Sequence, residues 1–349
     1  MPEFGKPKTF DFNYSVAEEK KNFSKFFKGR GIPKKKKNEI DLATWNIANL
    51  GAQKRRDKDL QLIAFILSHF DIIAVQEVRA QLAHLNRIME LLNKKASFKC
   101  VFNDVAGNSE RLAVIYNTKA IEPRQLTAEL DYNPNGNIVK GKYVIPVKKM
   151  SVTAGKRKIN LFFSNFNRNP FLTTWQVKKS NYNFLLASTH IYWGDYEKRN
   201  VAKFKQRIAE VYYLADWART MRLKKNKDRI YEKNVILLGD MNIPTVDKKD
   251  PVFAALKRKG MLPSKYASQT GTTLKEFYRY DQVVFTDKNS KLIKINKHPA
   301  TVVDFDSFIF RKLWKRFSNL SEKKRITQFK AWTKFTISDH RPLFVRIRV

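Results

Sequence analysis

At 349 residues the chain can hold one large domain or two small ones, and its 43% hydrophobic content excludes a wholly disordered protein. Its 69 Lys+Arg against 32 Asp+Glu give a formal net charge of +37, an imbalance that folding does not require and that self-repulsion opposes. Such a field attracts polyanions, nucleic acid first among them; the bland alternative is a solvated cationic surface.

A single cysteine, Cys100, excludes an intramolecular disulfide framework and argues for a reducing compartment. No run reaches the roughly 18 apolar residues that a transmembrane helix needs. The first ten residues contain no apolar stretch resembling a signal peptide, so the expected location is cytoplasmic, with secretion of a processed precursor as the alternative.

Residues 1–38 read as a basic N-terminal extension ending in Pro33-Lys34-Lys35-Lys36-Lys37. Its weak periodicity predicts an arm or partly ordered segment, and the lysines are either a phosphate-contacting patch or a solvated linker. Residues 39–349 form the regular part. A strand is predicted at 40–46, and Leu60, Ile63, Ala64 and Leu67 recur at helical spacing over 57–69. The unbroken apolar run Ile72-Ile73-Ala74-Val75 reads as a strand covered on both faces. It stops at Gln76-Glu77, and Leu82, Leu85, Met89 and Leu92 mark the next helix.

Strands are predicted at 112–116 and 184–188, then a helix over 203–221 with Ile208, Tyr212, Ala215 and Trp217 on its inner side. Val235-Ile236-Leu237-Leu238 is another buried strand and runs straight into Gly239-Asp240. Strands at 282–285 and 343–347 follow. Helices alternating with buried strands indicate an α/β domain. In residues 131–160, Asn133-Pro134-Asn135-Gly136 and Gly155-Lys156 read as turns between edge strands. Residues 304–335 read as one or two basic helices whose Phe308, Leu313, Trp314, Phe317 and Trp332 serve packing.

Six polar clusters fall at predicted strand ends: Trp45-Asn46, Gln76-Glu77, Thr189-His190, Gly239-Asp240-Met241-Asn242, Tyr280-Asp281 and Ser338-Asp339-His340. Singly, most have dull readings as turn residues, cap neighbours or surface pairs. Together they supply what phosphodiester hydrolysis needs: a polarising metal, an oriented water and proton carriers. Mg²⁺ takes oxygen ligands and few protein carboxylates, and Glu77 with Asn46 beside it meets that minimum if their strands pair. Asp240 and Asn242 lie two apart, so on an extended segment both face one way. One could orient water while the other binds phosphate. His190 and His340 are the natural proton carriers near neutral pH.

As an ordered set these clusters resemble the endonuclease/exonuclease/phosphatase superfamily, most closely its deoxyribonuclease I branch. The resemblance implies a four-layer α/β/β/α sandwich with its active site at one edge of two packed sheets. Gln76-Glu77-Val78-Arg79 is similar to the family's metal-site strand, which implies that Glu77 and Asn46 hold the cation, with Asp339 completing the metal side. The same segment implies a minor-groove contact from Arg79. Glu110 and Asp281 resemble the acidic partners of His190 and His340, and Gly239-Asp240-Met241-Asn242 matches the Gly-Asp-x-Asn motif. Phe166-Asn167-Arg168-Asn169-Pro170 resembles a segment whose arginine contacts phosphate. Ala48 departs from the pattern, standing where the deoxyribonuclease branch has a DNA-contacting arginine.

The implied activity is Mg²⁺-dependent DNA endonuclease of low sequence specificity, with Mn²⁺ or Ca²⁺ as alternative ions. In it His190 acts as general acid or base, His340 and Asn242 stabilise the phosphate, and Asp240 positions water. The rivals are an abasic-site endonuclease, a phosphatase, a sphingomyelinase-type phosphodiesterase and a non-catalytic nucleic-acid binder. An inositol phosphatase would show Trp-x-Asp-Arg where this chain has Arg279-Tyr280-Asp281-Gln282. A sphingomyelinase would carry an export signal and an exposed apolar hairpin, and the sequence displays neither.

Overall fold

Side chains alternate along β1 (Glu39–Leu50): Ile40 and Leu42 enter one apolar cluster, while Ala43, Trp45 and Ile47 enter another. In β2 (Ile72–Arg79), Ile72 and Ala74 divide from Ile73 and Val75 in the same way. A strand buried on both faces must lie between two layers. The computed structural model, which describes residues 3–7, 11–94, 96–178, 180–223, 232–257, 260–275, 277–286 and 299–349, builds two sheets from this pattern.

The first sheet runs in the order β14 (Thr301–Val302), β15 (Leu343–Arg348), β1, β2, β4 (Glu110–Asn117), β3 (Phe98–Phe102). The second runs β12 (Met261–Pro263), β13 (Asp281–Thr286), β11 (Val235–Asp240), β10 (Asn183–His190), β9 (Phe171–Val177), β5 (Ile121–Glu129). Leu42, Ala74, Val114, Leu186, Leu238, Val283 and Val345 fill the space between them. On the outside of the first sheet pack α3 (Asp57–Leu67), α4 (Ala83–Asn93), α7 (Arg311–Arg316) and α8 (Glu322–Thr336). The second is covered by α5 (Val201–Leu223), α6 (Pro251–Leu256) and a small sheet of β6 (Gly136–Lys140), β7 (Tyr143–Ala154) and β8 (Arg157–Phe163). The result is the four-layer α/β/β/α sandwich. Among the described residues, no helix is long and apolar enough to cross a membrane.

Three regions differ from their sequence-based reading. The leader is no loose arm. It forms α1 (Val16–Phe23) and α2 (Lys25–Gly29), whose Phe23 and Phe26 are fully buried in the cluster under α3. Tyr14 donates to Asp59 Oδ1 at 2.7 Å, and Glu19 Oε2 accepts from the Phe310 amide at 2.8 Å. Interspersed lysines diluted the aromatic spacing. Of the four lysines, Lys35 pairs with Asp71 at 2.6 Å.

The strands of 131–160 form their own sheet and are not edges of the large ones. The hairpin of β6 and β7 closes at Gly141 (φ 62°) and projects Val139, Tyr143 and Val144, which are 76%, 66% and 63% exposed. An exposed apolar hairpin is therefore present after all. It escaped notice because β-branched residues in a short strand look the same buried or bare. On α5 the buried stripe is Ile208, Val211, Leu214, Ala215 and Ala218. Tyr213 is buried there in place of Tyr212, because its ring stacks on Phe163 with centroids 4.8 Å apart.

If the leader belongs to the same folding unit, Phe26→Ala should lower unfolding free energy by about 3–5 kcal/mol in a urea titration. A detached arm would show a change within roughly 0.5 kcal/mol.

Candidate active site

Strand register assembles half of the site. β10 and β11 run parallel with His190 opposite Asp240, and β11 and β13 run antiparallel with Asp240 opposite Asp281. His190, Asp240 and Asp281 thus form one row at the edge of the second sheet. Gly239 (φ 140°) permits the close approach beneath it, since a Cβ there would lie 1.9 Å from the Thr189 carbonyl oxygen. The first sheet supplies the other half through a bulge. β1 and β2 pair regularly to Asn46 and Gln76, then resume at Leu50 and Val78.

Within that bulge Asn49 (φ 50°) and Glu77 (φ 60°) adopt left-handed backbone, uncommon for residues with side chains. The distortion turns the Asn49 amide onto Glu77 Oε2 at 2.9 Å, while Asn46 Nδ2 donates to Glu77 Oε1 at 2.9 Å. Asn46 Nδ2 also lies 3.2 Å from Asp240 Oδ2, which links the two sheets.

The Ser338-Asp339-His340 segment is fastened to β1 from three directions. Ser338 Oγ donates to the Asn46 carbonyl at 2.7 Å and accepts from the amides of Ala48 and His340. The Trp45 indole donates to the His340 carbonyl at 2.9 Å. Arg55 donates to the carbonyls of Ala48 and Ile337 at 2.6 and 2.9 Å. Burial lowers the Arg55 pKa to about 10, with Asp59, Glu77 and Asp339 pulling against that shift.

Two imidazoles converge on Asp240. Its Oδ2 lies 3.6 Å from His190 Nε2 and 3.7 Å from His340 Nε2. Behind His190, Nδ1 lies 3.1 Å from Glu110 Oε2; behind His340, Nδ1 lies 2.9 Å from Asp281 Oδ2. Each ring is oriented from the rear by a carboxylate, leaving its Nε2 toward the centre. Burial opposes charge on His340, yet Asp281, Asp240 and Asp339 together lift its pKa well above the ordinary range. Burial pushes Glu110 up, but His190 and Arg168 outweigh it and hold the carboxyl below its usual range.

The family model of the endonuclease/exonuclease/phosphatase family matches residues 43–340, which includes the whole span from Asn46 to His340. The chain belongs to this family. Among its relatives is a protein named "Deoxyribonuclease" from Thioalkalivibrio sp. (strain K90mix), 24% identical over 211 residues, which cover 59% of this chain and 47% of the relative. The chain therefore spans about half the length of that curated relative. A solved family structure from Bacteroides thetaiotaomicron shares the fold at 15% identity and a TM-score of 0.51, covering 88% of this chain and 94% of its own. The mannosyl-6-phosphatase Bt3783 of Bacteroides thetaiotaomicron VPI-5482 gives a TM-score of 0.48 at 14% identity, covering 88% and 98%. Family membership makes phosphoester hydrolysis the governing chemistry, and enzymes of this family generally depend on a divalent metal.

The structure brings Asn46, Glu77, Glu110, His190, Asp240, Asn242, Asp281 and His340 together. Asn242 is not extended as its spacing suggested. Its φ is 50°, its amide donates to Asp240 Oδ1 at 3.0 Å, and Nδ2 donates to the Ile191 carbonyl at 2.8 Å. An Asx-type turn, which sequence spacing cannot distinguish from a strand, replaces the common face.

Arg168 differs more. It is 4% exposed, and its Nε and Nη2 donate to the carbonyls of His190 and Ile191 at 2.9 and 3.2 Å. These two bonds hold the β10 terminus. Arg79 likewise turns inward, donating to the Asn108 carbonyl at 2.7 Å and lying 3.4 Å from Glu110 Oε1.

Arg55, Asn49 and Glu210 escaped sequence reading. Arg55 sits in the basic run Lys54-Arg55-Arg56, where nothing local sets it apart from solvated charge. Glu210 could have been found, because it falls on the apolar stripe of α5, where a charge needs a reason. Its carboxylate accepts from the amides of Asn167 at 3.0 Å and Tyr192 at 2.9 Å, joining the segment of Arg168 to the segment after His190.

The oxygens near Glu77 suit a hard divalent cation. Asn46 Oδ1 and Asp339 Oδ1 are buried acceptors without a hydrogen-bond partner, a costly state that a cation relieves. Among the described residues no three His, Cys, Asp or Glu side chains converge as a full shell, so any cation held here would have amide oxygen and water among its ligands.

Two variants test this framework. Gly239→Ala should separate β10 from β11 and cost roughly 4 kcal/mol or more in a denaturant titration. Burial raises the Glu210 pKa from 4.5 to about 7, so its contribution to stability is full below 4.5 and is lost as pH rises through about 7. Glu210→Gln should remove a slope of up to ~1.4 kcal/mol per pH unit in that window, read from melts at stepped pH. An unchanged slope would mean that the carboxyl titrates alike in the folded and unfolded chain.

Proposed function

We propose that the chain is a divalent-metal-dependent nuclease cleaving phosphodiester bonds of nucleic acid, with DNA its foremost substrate. One observation carries the reading: Asp240 Oδ2 stands between the Nε2 atoms of two histidines, each backed by its own carboxylate. A phosphatase or nuclease needs that spacing to orient a water, shift a proton and cover the charge of a five-coordinate phosphorus.

In this reading Asp240 orients the attacking water. His340, kept protonated by its three carboxylate neighbours, faces a non-bridging phosphoryl oxygen with the Asn242 side chain nearby. His190, with Glu110 behind it, moves the proton between water and leaving oxygen. Glu77, Asn46 and Asp339 hold the cation, which when bound polarises the phosphoryl oxygens. Arg168 acts through the backbone of His190, and Arg79 through Glu110. The name of the Thioalkalivibrio relative supports DNA as substrate, and the charge of +37 supports a polyanion.

The exposed Val139, Tyr143 and Val144 favour a second reading, a phosphodiesterase of lipid headgroups that approaches a membrane with this hairpin.

Supercoiled plasmid, single-stranded DNA, RNA and sphingomyelin vesicles, each with Mg²⁺ or chelator, separate the two. Plasmid nicking should require the cation, and His190→Ala should reduce kcat by about 10²–10⁴-fold. Nicking that survives chelator or His190→Ala would sink the mechanism. Cleavage of lipid alone would replace the first reading with the second.

A further inference from the structure

Beside the two histidines, the loops entering β13 and leaving β10 carry four aromatic rings that the proposed chemistry leaves unused. Tyr280 lies 6.2 Å from the His340 ring, centroid to centroid, and stacks on Tyr278 at 5.0 Å with planes 12° apart. Across from them Trp193 and Tyr196 meet edge to face at 5.7 Å. The two loops are close neighbours, since Trp193 and Tyr196 both act on the Tyr280 hydroxyl, whose pKa burial raises. The rings are not sealed off: Trp193 and Tyr196 remain 39% and 42% exposed. Arg199 lies over the Tyr196 ring at 5.7 Å, adding a cation to the wall.

We propose, resting on the nuclease reading, that this wall stacks an unpaired base next to the scissile phosphate, so that the preferred substrate is single-stranded or locally opened nucleic acid. Continuity with His340 sets the location. Rigid aromatic faces offer what a base face needs, and the net charge of +37 supplies attraction to the backbone without sequence preference. Inside a duplex both faces of each base are taken by its neighbours, and exposing one requires unstacking. A base in a single strand has its face free. Lipid headgroups and sugar phosphates bring no planar ring to such a wall.

The test is fluorescence anisotropy of the full chain carrying His190→Ala, at fixed salt with Mg²⁺. The probes are a labelled single strand and the same strand with abasic residues. The base-bearing strand should bind about tenfold more tightly than the abasic one, the range expected for stacking on an aromatic side chain. Adding Trp193→Ala or Tyr196→Ala should bring that ratio close to one, while Trp193→Phe, which keeps a ring, should preserve most of it. Equal affinity for the two strands, or an equal loss on both in Trp193→Ala, overturns the wall. Cleavage of nucleic acid by the unmodified chain without base-dependent binding fails the wall alone. Base-dependent binding without cleavage fails the nuclease reading alone.

Discussion

At Gly239 the backbone of β11 comes against the Thr189 carbonyl of β10 so closely that no side chain fits between them. That contact fixes the parallel pairing one residue before both strands end, which sets His190 beside Asp240. Asp281 on the next strand then falls opposite Asp240 and orients His340. A sheet register is an all-or-none quantity, because a slip of one residue turns every side chain to the opposite face. The proton-handling half of the site therefore inherits its geometry from hydrogen bonds deep in the sheet and not from flexible loops.

Electrostatically, the molecule is divided. At long range it is strongly cationic, while its centre gathers Glu77, Glu110, Asp240, Asp281 and Asp339. Buried carboxylates that face one another need compensation, and the structure provides it internally through Arg55, Arg168 and the two imidazoles. The outer field attracts polyanions from solution over roughly a Debye length, about 10 Å at 0.1 M salt, whereas the buried carboxylates act at contact distance on what enters the site. A surface that attracts phosphate and a core that attracts a cation can coexist because they work over different distances.

Much of this was legible in the sequence. Apolar runs ending in Gln76-Glu77 and Gly239-Asp240 gave both buried strands and the residues at their ends, because full burial and an abrupt polar stop leave few other readings. The pairing partners of the histidines came from the resemblance. What the sequence hid depended on conformation or on long-range packing. The left-handed backbone of Glu77 has no local signature, whereas at Asn242 it falls on a residue type that tolerates it. Nothing local marks Arg55 or Arg168 as buried, and their burial follows only from carbonyls supplied by other segments. In the leader, six phenylalanines are interspersed among ten lysines, which hides the spacing of the rings that α1 and α2 bury.

The pairing of β1 with β15 joins Ile40 to Ile347, and Ala48 to Ser338 lies across the same long interval. During synthesis β1 must wait for a partner made about 300 residues later, so the central strand of the first sheet begins life as an open edge. Such non-local closure is slow and leaves apolar strands uncovered meanwhile. It also means that a nascent chain lacks His340 and its fastening to Asn46 until synthesis has passed them. The site is therefore completed only when the last strand of the first sheet is in place.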